Sequence, residues 1–412
     1  MQKQYDLVIV GGGAAGMLAA SVASDLGKSV LLLEKNKQLG VKLLITGKGR
    51  CNITNAEEDL KSLIQAFGKN GRFLYSAFQK FSNIDVINFF QEKGLKIKIE
   101  RGNRVFPLSD KAKDVVNLLI QNLKKVDLRL NTVVKDFVLE INQENKFIRK
   151  IILHNNEEIS ADNFLIATGG MSYPQTGSTG DAYDWLKRMG HHIVTPKPAL
   201  TPILVEEDIV QQLEGLSLKN VEISLWNEKK IISCFGEALF MRNGLSGPII
   251  LDLSNEINNH ESEDLKLKID FKPALDEQKL DLRIRRDFEK QSSKIFKNSL
   301  NQLLPKKLIP VFIKLSEINP EKKVAEISKI ERKRLLKLFK GLELTVKGLV
   351  GFEKAIVTAG GVSLKEVNPK TMKSKIVQNL YLAGEVLDID GPTGGYNLQV
   401  AWSTGALAAH LL

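Results

Sequence analysis

The sequence predicts an α/β protein: a domain with a parallel sheet, interrupted by an insertion and completed by the C-terminus. Three observations predict it. An apolar strand runs directly into glycines and a helix in "YDLVIVGGGAAGMLAA"; a second apolar strand, "SVLLLEK", follows closely; and glycine-then-helix text returns in "GPTGGYNLQVAWSTGALAAHLL" (Gly391–Leu412). Between them lie β-like and helical runs that belong to neither end.

In order along the chain, residues 5–10 read as a buried strand and 14–26 as a helix, with Gly27 as its left-handed stop. "SVLLLEK" gives a strand ending at Glu34, a β-α-β unit short enough for parallel pairing. Residues 59–92 read as largely helical. "VDLRLNTVVKDFVLE", "FIRKIILHN" and "ADNFLIATGG" read as strands, the last entering a glycine turn. Proline-rich "TPKPALTPILV" reads as a linker. Short β-like runs from about 200 to 272 suggest a small barrel or sandwich. Residues 275–340 read as helices with Leu, Ile and Phe spaced at three and four. Strand text returns at "LELTVKG", "KAIVTAGGV" and "NLYLAGEVLDIDG" before the closing helix.

At 412 residues the chain is too long for one ordinary core. No stretch approaches the ~18–20 apolar residues of a membrane span, so no membrane partner is expected. The opening text lacks a signal-peptide pattern, and the two cysteines, Cys51 and Cys234, form no CxxC pair. A cytoplasmic location and no disulfide framework are expected. No metal site is expected: His191 and His192 read as the cationic end of a helix. The net charge is +11, and residues 271–340 hold 19 Lys/Arg against 9 Asp/Glu, so one segment carries nearly all of it. Either a solvated helical face or a surface for an anionic partner such as nucleic acid gives that pattern.

"GGGAAG" places Gly11, Gly13 and Gly16 in the GxGxxG arrangement, after a strand and at the start of a helix. Gly11 permits the tight turn, Gly13 lets backbone approach a pyrophosphate, and Gly16 allows close helix–strand packing. The helix N-terminus adds free N–H donors and about half a positive charge. Glu34, 18 residues after Gly16, suits both hydroxyls of a ribose and repels a 2′-phosphate. The fingerprint alone does not separate NAD from FAD. The long glycine-rich loop Leu39–Asn55, with Lys42, Lys48 and Arg50, favours the longer flavin dinucleotide, as do "IATGG" and the acids Glu385, Asp388 and Asp390.

On "KLLITGKGRCNITN", "RVFP", "ATGGMSYPQTGSTGD", "GLSGP", "VTAGGV" and "LYLAGEVLDIDGPTGGYNLQ", the chain resembles the aminoacetone-oxidase-like, BaiN-type FAD-dependent oxidoreductases, over essentially its whole length. The resemblance implies a Rossmann-like FAD-binding domain (residues 1–194 and 347–412), an inserted β-barrel-like domain (195–273 and 341–346) and a basic helical cap (274–340). It carries FAD contacts over to Gly11, Gly13, Ala14, Ala15, Gly16, Glu34, Lys35, Lys42, Arg50, Cys51, Asn52, Ala167, Thr168, Gly169, Gly384, Glu385, Gly394, Gly395, Tyr396 and Asn397. Val134 joins them as a backbone contact to the adenine. Two departures stand out: Lys48 where the family commonly has Gly, and Met241-Arg242 where it often has Thr-His before "GLSGP".

The implied reaction is hydride transfer between flavin N5 and a small organic substrate or NAD(P)H. No second GxGxxG follows a strand, so NAD(P)H would dock transiently. Oxidase and reductase both remain open, and no catalytic acid or base stands out. Cys51 reads as a packing residue or a reactive thiol. The alternative is an RNA-interacting or RNA-modifying flavoprotein that uses residues 271–340, where Phe288 and Phe296 lie among the cations.

Overall fold

The computed structural model describes residues 4–143, 145–260 and 264–411. The chain divides into two compact units, Met1–Pro198 with Phe352–Leu412, and Ala199–Gly351.

In the first unit five strands form a parallel sheet in the order Leu380–Leu382, Ala161–Ile166, Tyr5–Val10, Val30–Leu33 and Asp127–Arg129. Strands Tyr5–Val10, Val30–Leu33 and Leu380–Leu382 are largely apolar and buried, as a covered parallel sheet requires, while the edge strand Asp127–Arg129 is polar and partly exposed. Helix Ala14–Asp25 connects the first two strands and is built from small residues. That smallness lets it meet helix Tyr396–His410 backbone to backbone: a Cβ on Gly405 would lie 2.6 Å from the Ala15 carbonyl oxygen. The two ends of the chain therefore pack as one layer.

The second unit holds a closed barrel of six strands. In barrel order they are Ile203–Val205, Gly244–Ser246, Lys230–Met241, Ser217–Trp226, Lys266–Asp270 and Leu342–Leu349. Every pair is antiparallel, and closure leaves no edge exposed. Helices Glu277–Glu289, Ile309–Ser316 and Lys329–Lys340 fall within the basic segment and share one apolar core with the barrel.

Three expectations are corrected. The proposed linker is a strand, Ile193–Ala199, paired with Val357–Val362. In a two-stranded pair each strand keeps a free edge, where a proline without an N–H is tolerated. Second, Phe288 and Phe296 do not face solvent among the cations: both are buried, with ring centroids 6.5 Å apart edge to face. Third, helix Asp181–Met189 ends at Gly190, and His191 beyond it is buried rather than a helix-end cation.

Candidate functional site

Pairing register lines up the carboxyl ends of four parallel strands. Val10 stands opposite both Ile166 and Leu33, and Ile166 opposite Leu382. Each then opens into a motif loop: "GGGAAG", "EK", "ATGG" and "AGE". Open α/β sheets bind ligands outside this edge.

At the first loop the three glycines differ in what surrounds them. A Cβ on Gly11 would lie 2.5 Å from the Ala167 oxygen, and one on Gly16 would lie 1.9 Å from the Gly11 oxygen; at Gly13 nothing lies within 4 Å. Two glycines thus serve packing, and the third faces open space. Ala14 and Ala15 form the first turn of the helix, which has no side-chain cap, so its leading N–H groups stay available. Glu34 is buried. Its carboxylate accepts the Gly12 N–H at 2.7 Å and the Asn36 N–H at 2.8 Å, which fixes it with lone pairs to spare. Val134 begins a strand two residues after Thr132, whose N–H donates to the Glu34 backbone carbonyl at 2.9 Å.

Thr168 Oγ1 and Asn52 Oδ1 are shielded from solvent and have no hydrogen-bond partner. Such orphaned atoms are rare in folded proteins and mark a missing partner. Together with the space at Gly13 and the uncapped helix, they fit a flavin dinucleotide lying along this edge.

A polar cluster sits beside them. Lys42 Nζ donates to Ser172 Oγ at 2.6 Å and to Glu385 Oε2 at 2.7 Å; Ser172 Oγ donates to Glu385 Oε1 at 2.8 Å, which also takes the Thr358 N–H at 2.7 Å. Gly169 and Gly170 border this cluster, and a Cβ on Gly170 would meet Thr358 Oγ1 at 2.4 Å. Gly384 is held from the other side by Thr404 Oγ1, which accepts its N–H at 2.9 Å.

At the second glycine loop, Gly394 and Gly395 have φ of 116° and 101°, and helix Tyr396–His410 starts there without a side-chain cap. Asn397 grips the loop: its Oδ1 accepts the Gly391 N–H and its Nδ2 donates to the Gly391 carbonyl, both at 2.8 Å. The Asn397 side chain is therefore spent on the loop. Tyr396 packs edge-on against Phe67.

Other predicted residues are engaged elsewhere. Lys35 pairs with Asp181 at 2.5 Å. Arg50 pairs with Glu100 and with Asp110 (2.7 Å) and lies 4.0 Å over the Phe106 ring. Cys51 is fully buried, and burial pushes its thiol up to about 12, away from the thiolate form.

Sequence reasoning left three groups without a role here. Burial, then the nearby Asp388 and Glu385, hold the Asp390 carboxyl up at about 6. Asp388 is also raised by burial, against the pull of Lys69, a Gly360 N–H and His192. The Tyr183 hydroxyl is buried without a partner and raised by burial, with Glu385 and Asp388 adding to the effect. The two aspartates were visible in "GEVLDID"; the burial that raises both was not.

A model of the HI0933-like protein Rossmann domain matches residues 5–411. A 3-dehydro-bile acid delta(4,6)-reductase of Clostridium scindens is 32% identical over 404 residues, covering 97% of each chain. A ribosomal RNA dihydrouridine synthase of Haemophilus influenzae is 31% identical over 411 residues, covering 99% of this chain and 98% of that one. Among solved structures, a 3-ketosteroid-delta4-(5alpha)-dehydrogenase from Rhodococcus jostii RHA1 shares the fold. Its TM-score is 0.54 at 14% identity, over 98% of this chain and 97% of that chain.

Proposed function

The chain belongs to the HI0933-like family and is an FAD-dependent oxidoreductase, and from that premise we propose that it reduces a carbon–carbon double bond conjugated to a carbonyl group. One observation carries the reading. Two near-full-length relatives are named for reductions that share this unit: a 3-oxo-4,6-diene in one, the 5,6-bond of uracil beside its 4-carbonyl in the other. When bound and reduced, FAD would supply the hydride and be left oxidised.

In this reading the N–H groups at Ala14–Gly16 hold the pyrophosphate and Glu34 holds the adenosine ribose, with Val134 beside the adenine. Asn52, Thr168 and Gly169 receive the central part of the cofactor, with Lys42 and Glu385 beside it. The start of helix Tyr396–His410 faces the N1/O2 edge of the ring, where reduction leaves negative charge. A helix terminus contributes roughly 0.3–2 kcal/mol to such a charge, enough to tune a potential. NAD(P)H is the proposed reductant. The three-part division at residues 194, 273, 340 and 346 remains our proposal for how the domains are bounded.

The test is anaerobic. Purified yellow protein is reduced with NADH or NADPH and mixed with a 3-oxo-4,6-diene bile acid. Reoxidation of the flavin with loss of one double bond is expected; reoxidation by dioxygen or amine turnover alone would overturn the reading.

A second reading, reduction of a uracil base within RNA, is favoured by the name of the Haemophilus influenzae relative. The basic segment is partly neutralised by its own acids: Arg332 and Arg285 pair with Asp281, Lys322 with Glu331 and Arg334 with Glu317. Lys329, Lys333 and Lys337 remain exposed at helical spacing on Lys329–Lys340. Tight RNA binding whose affinity falls steeply with salt, with uridine loss in the bound RNA, supports this reading. Equal binding to any polyanion counts against it.

A further inference from the structure

Two segments far apart in sequence hold the flavin in this placement: Asn52 beside its central part, and the start of helix Tyr396–His410 at the ring edge. We propose that Thr54 and Gln399 are a positioning pair that fixes one segment against the other and so sets how closely the ring meets the helix start, a role that rests on this placement of the flavin.

Asn52 stands where a ligand is missing, since its Oδ1 is shielded from solvent and unpartnered. The loop around it is tied on one side to its own neighbourhood. Cys51 N–H donates to the Thr46 carbonyl at 3.0 Å, and Ile53 N–H to the Val105 carbonyl at 2.8 Å. On the other side it is tied to the C-terminal helix. Trp402 Nε1 donates to the Ile53 carbonyl at 2.9 Å, and Thr54 Oγ1 donates to Gln399 Oε1 at 2.5 Å. Asn55 Nδ2 donates to the Gly394 carbonyl at 3.1 Å. Three consecutive residues thus bond to the glycine loop and first two turns of one helix.

The contact closes on itself at Gly395. A Cβ there would lie 2.3 Å from the Thr54 carbonyl carbon and 2.4 Å from its oxygen, so backbone meets backbone. The Gly395 carbonyl accepts the Gln399 N–H at 3.1 Å, and the Gln399 side chain returns to the Thr54 hydroxyl. Gln399 is held in turn. Its Nε2 donates to Ser403 Oγ at 2.8 Å and to the Phe81 carbonyl at 3.3 Å, and Ser403 Oγ donates to that same carbonyl at 2.6 Å. Thr54, Gln399 and Ser403 are all fully buried. Valine and methionine would fill similar volumes, so burial alone does not call for this polar pair. What a satisfied buried network adds is a single geometry.

That geometry matters because a helix terminus acts on charge only within about its first turn. With the register loosened, the helix start loses its grip on the negative charge that reduction leaves on the ring. The phosphates, held at Ala14–Gly16, stay in place.

The test reads the flavin reduction potential of purified holoprotein by anaerobic dye-coupled titration, beside flavin content, Tm and a crystal structure of the loaded wild type. Thr54→Val should stay yellow and shift the balance toward oxidised flavin by roughly 2–30-fold, the range of a helix-terminus contribution. The potential then falls by about 10–45 mV, at about 30 mV per tenfold for two electrons. Thr54→Ser should restore the wild-type value, and Gln399→Met should shift at least as far as Thr54→Val. The double variant should go no further than Gln399→Met alone, because Thr54 has then already lost its partner. Wild-type potentials in yellow Thr54→Val and Gln399→Met overturn the proposal, as does an additive double variant. Colourless protein from both variants at wild-type Tm also overturns it, because the pair would then retain the cofactor rather than set its register. If Thr54→Val does not fold, Gln399→Met and Thr54→Ser carry the same comparison. A loaded wild-type structure with the ring away from helix Tyr396–His410 sinks the underlying placement instead, whatever the potentials.

Discussion

Helices Ala14–Asp25 and Tyr396–His410 begin at Gly13 and Gly395, with no side chain over their first N–H groups. Helices Asn83–Glu92 and Lys329–Lys340 begin instead at Ser82 and Ser328, each in a reciprocal capping box with Asp85 or Glu331. A capped helix has satisfied its orphan donors within the chain, whereas an uncapped one keeps them for something else. The uncapped pair lies at the carboxyl edge of the parallel sheet and the capped pair does not. Helices Ala112–Gln121, Pro248–Ile257 and Ile309–Ser316 also begin without a side-chain cap, so an open start marks cofactor surface only where it meets the carboxyl edge of the parallel sheet.

The largest expected effect tests whether the two uncapped helices act as one layer. Gly405→Val forces atoms to within about 2.6 Å of the Ala15 carbonyl and has no flexible side chain to displace. It should cost at least ~1–3 kcal/mol and release flavin together with the fold, read as a lowered Tm and lost yellow colour. Gly13→Val separates the two outcomes. Gly13 has φ −84° and ψ −165°, a conformation open to any residue, and its missing Cβ faces free space. The variant should fold with apoprotein stability near wild type and be colourless; full flavin content in Gly13→Val would show that nothing binds at that helix start.

The capped helices predict the opposite pattern. Ser328→Ala should lower stability by about 0.5–2 kcal/mol in denaturant melts and leave flavin content unchanged. Lost flavin in this variant would break the division between scaffold and site.

Much of this was legible in the sequence because it is local. Apolar runs bounded by glycine gave the parallel strands, and Gly11, Gly13 and Gly16 each have the surroundings their spacing implied. What was hidden depends on partners distant in sequence. Strand Ile193–Ala199 is a strand only because Val357–Val362 lies beside it. Phe288 and Phe296 look like stacking residues until the barrel core claims them. Cys51 and Asp390 are both shifted for one reason, burial, which raises the thiol and the carboxyl alike by disfavouring their charged forms.

His191 is the clearest hidden case and yields a smaller prediction. Ser374 Oγ accepts N–H groups from Ile376 at 3.0 Å and Val377 at 2.9 Å, so its own proton points to His191 Nε2 at 2.9 Å. The remaining ring N–H, at Nδ1, then donates to Glu366 Oε2 at 3.1 Å. Burial lowers the His191 pKa below its ordinary 6.5, against the opposing pull of Glu366. The folded state thus binds fewer protons than the unfolded chain just below pH 6.5, and acidification favours unfolding. Stability held above 6.5 should decline as pH falls from there to the folded pKa, and His191→Gln should flatten that slope. Asp390, with its raised pKa, works in the opposite sense, so the melts are best compared in an Asp390→Asn background. An unchanged slope in His191→Gln would place the acid sensitivity elsewhere.

The smallest effect concerns the loop between the two helix types. Lys48 has φ 59° and ψ 43°, between Gly47 and Gly49, which also have positive φ. A side chain in this left-handed region costs roughly 1–2 kcal/mol. Lys48 is exposed and makes no ion pair among the described residues to offset that cost. Lys48→Gly removes the strain but enlarges the unfolded ensemble, a penalty of about 0.4–1 kcal/mol. The net expectation is a gain of roughly 0–1 kcal/mol, a Tm rise of at most about 4 °C, with flavin retained. A clear loss of stability would show that the lysine side chain itself holds the loop, and that this stretch belongs with the scaffold rather than with the cofactor surface.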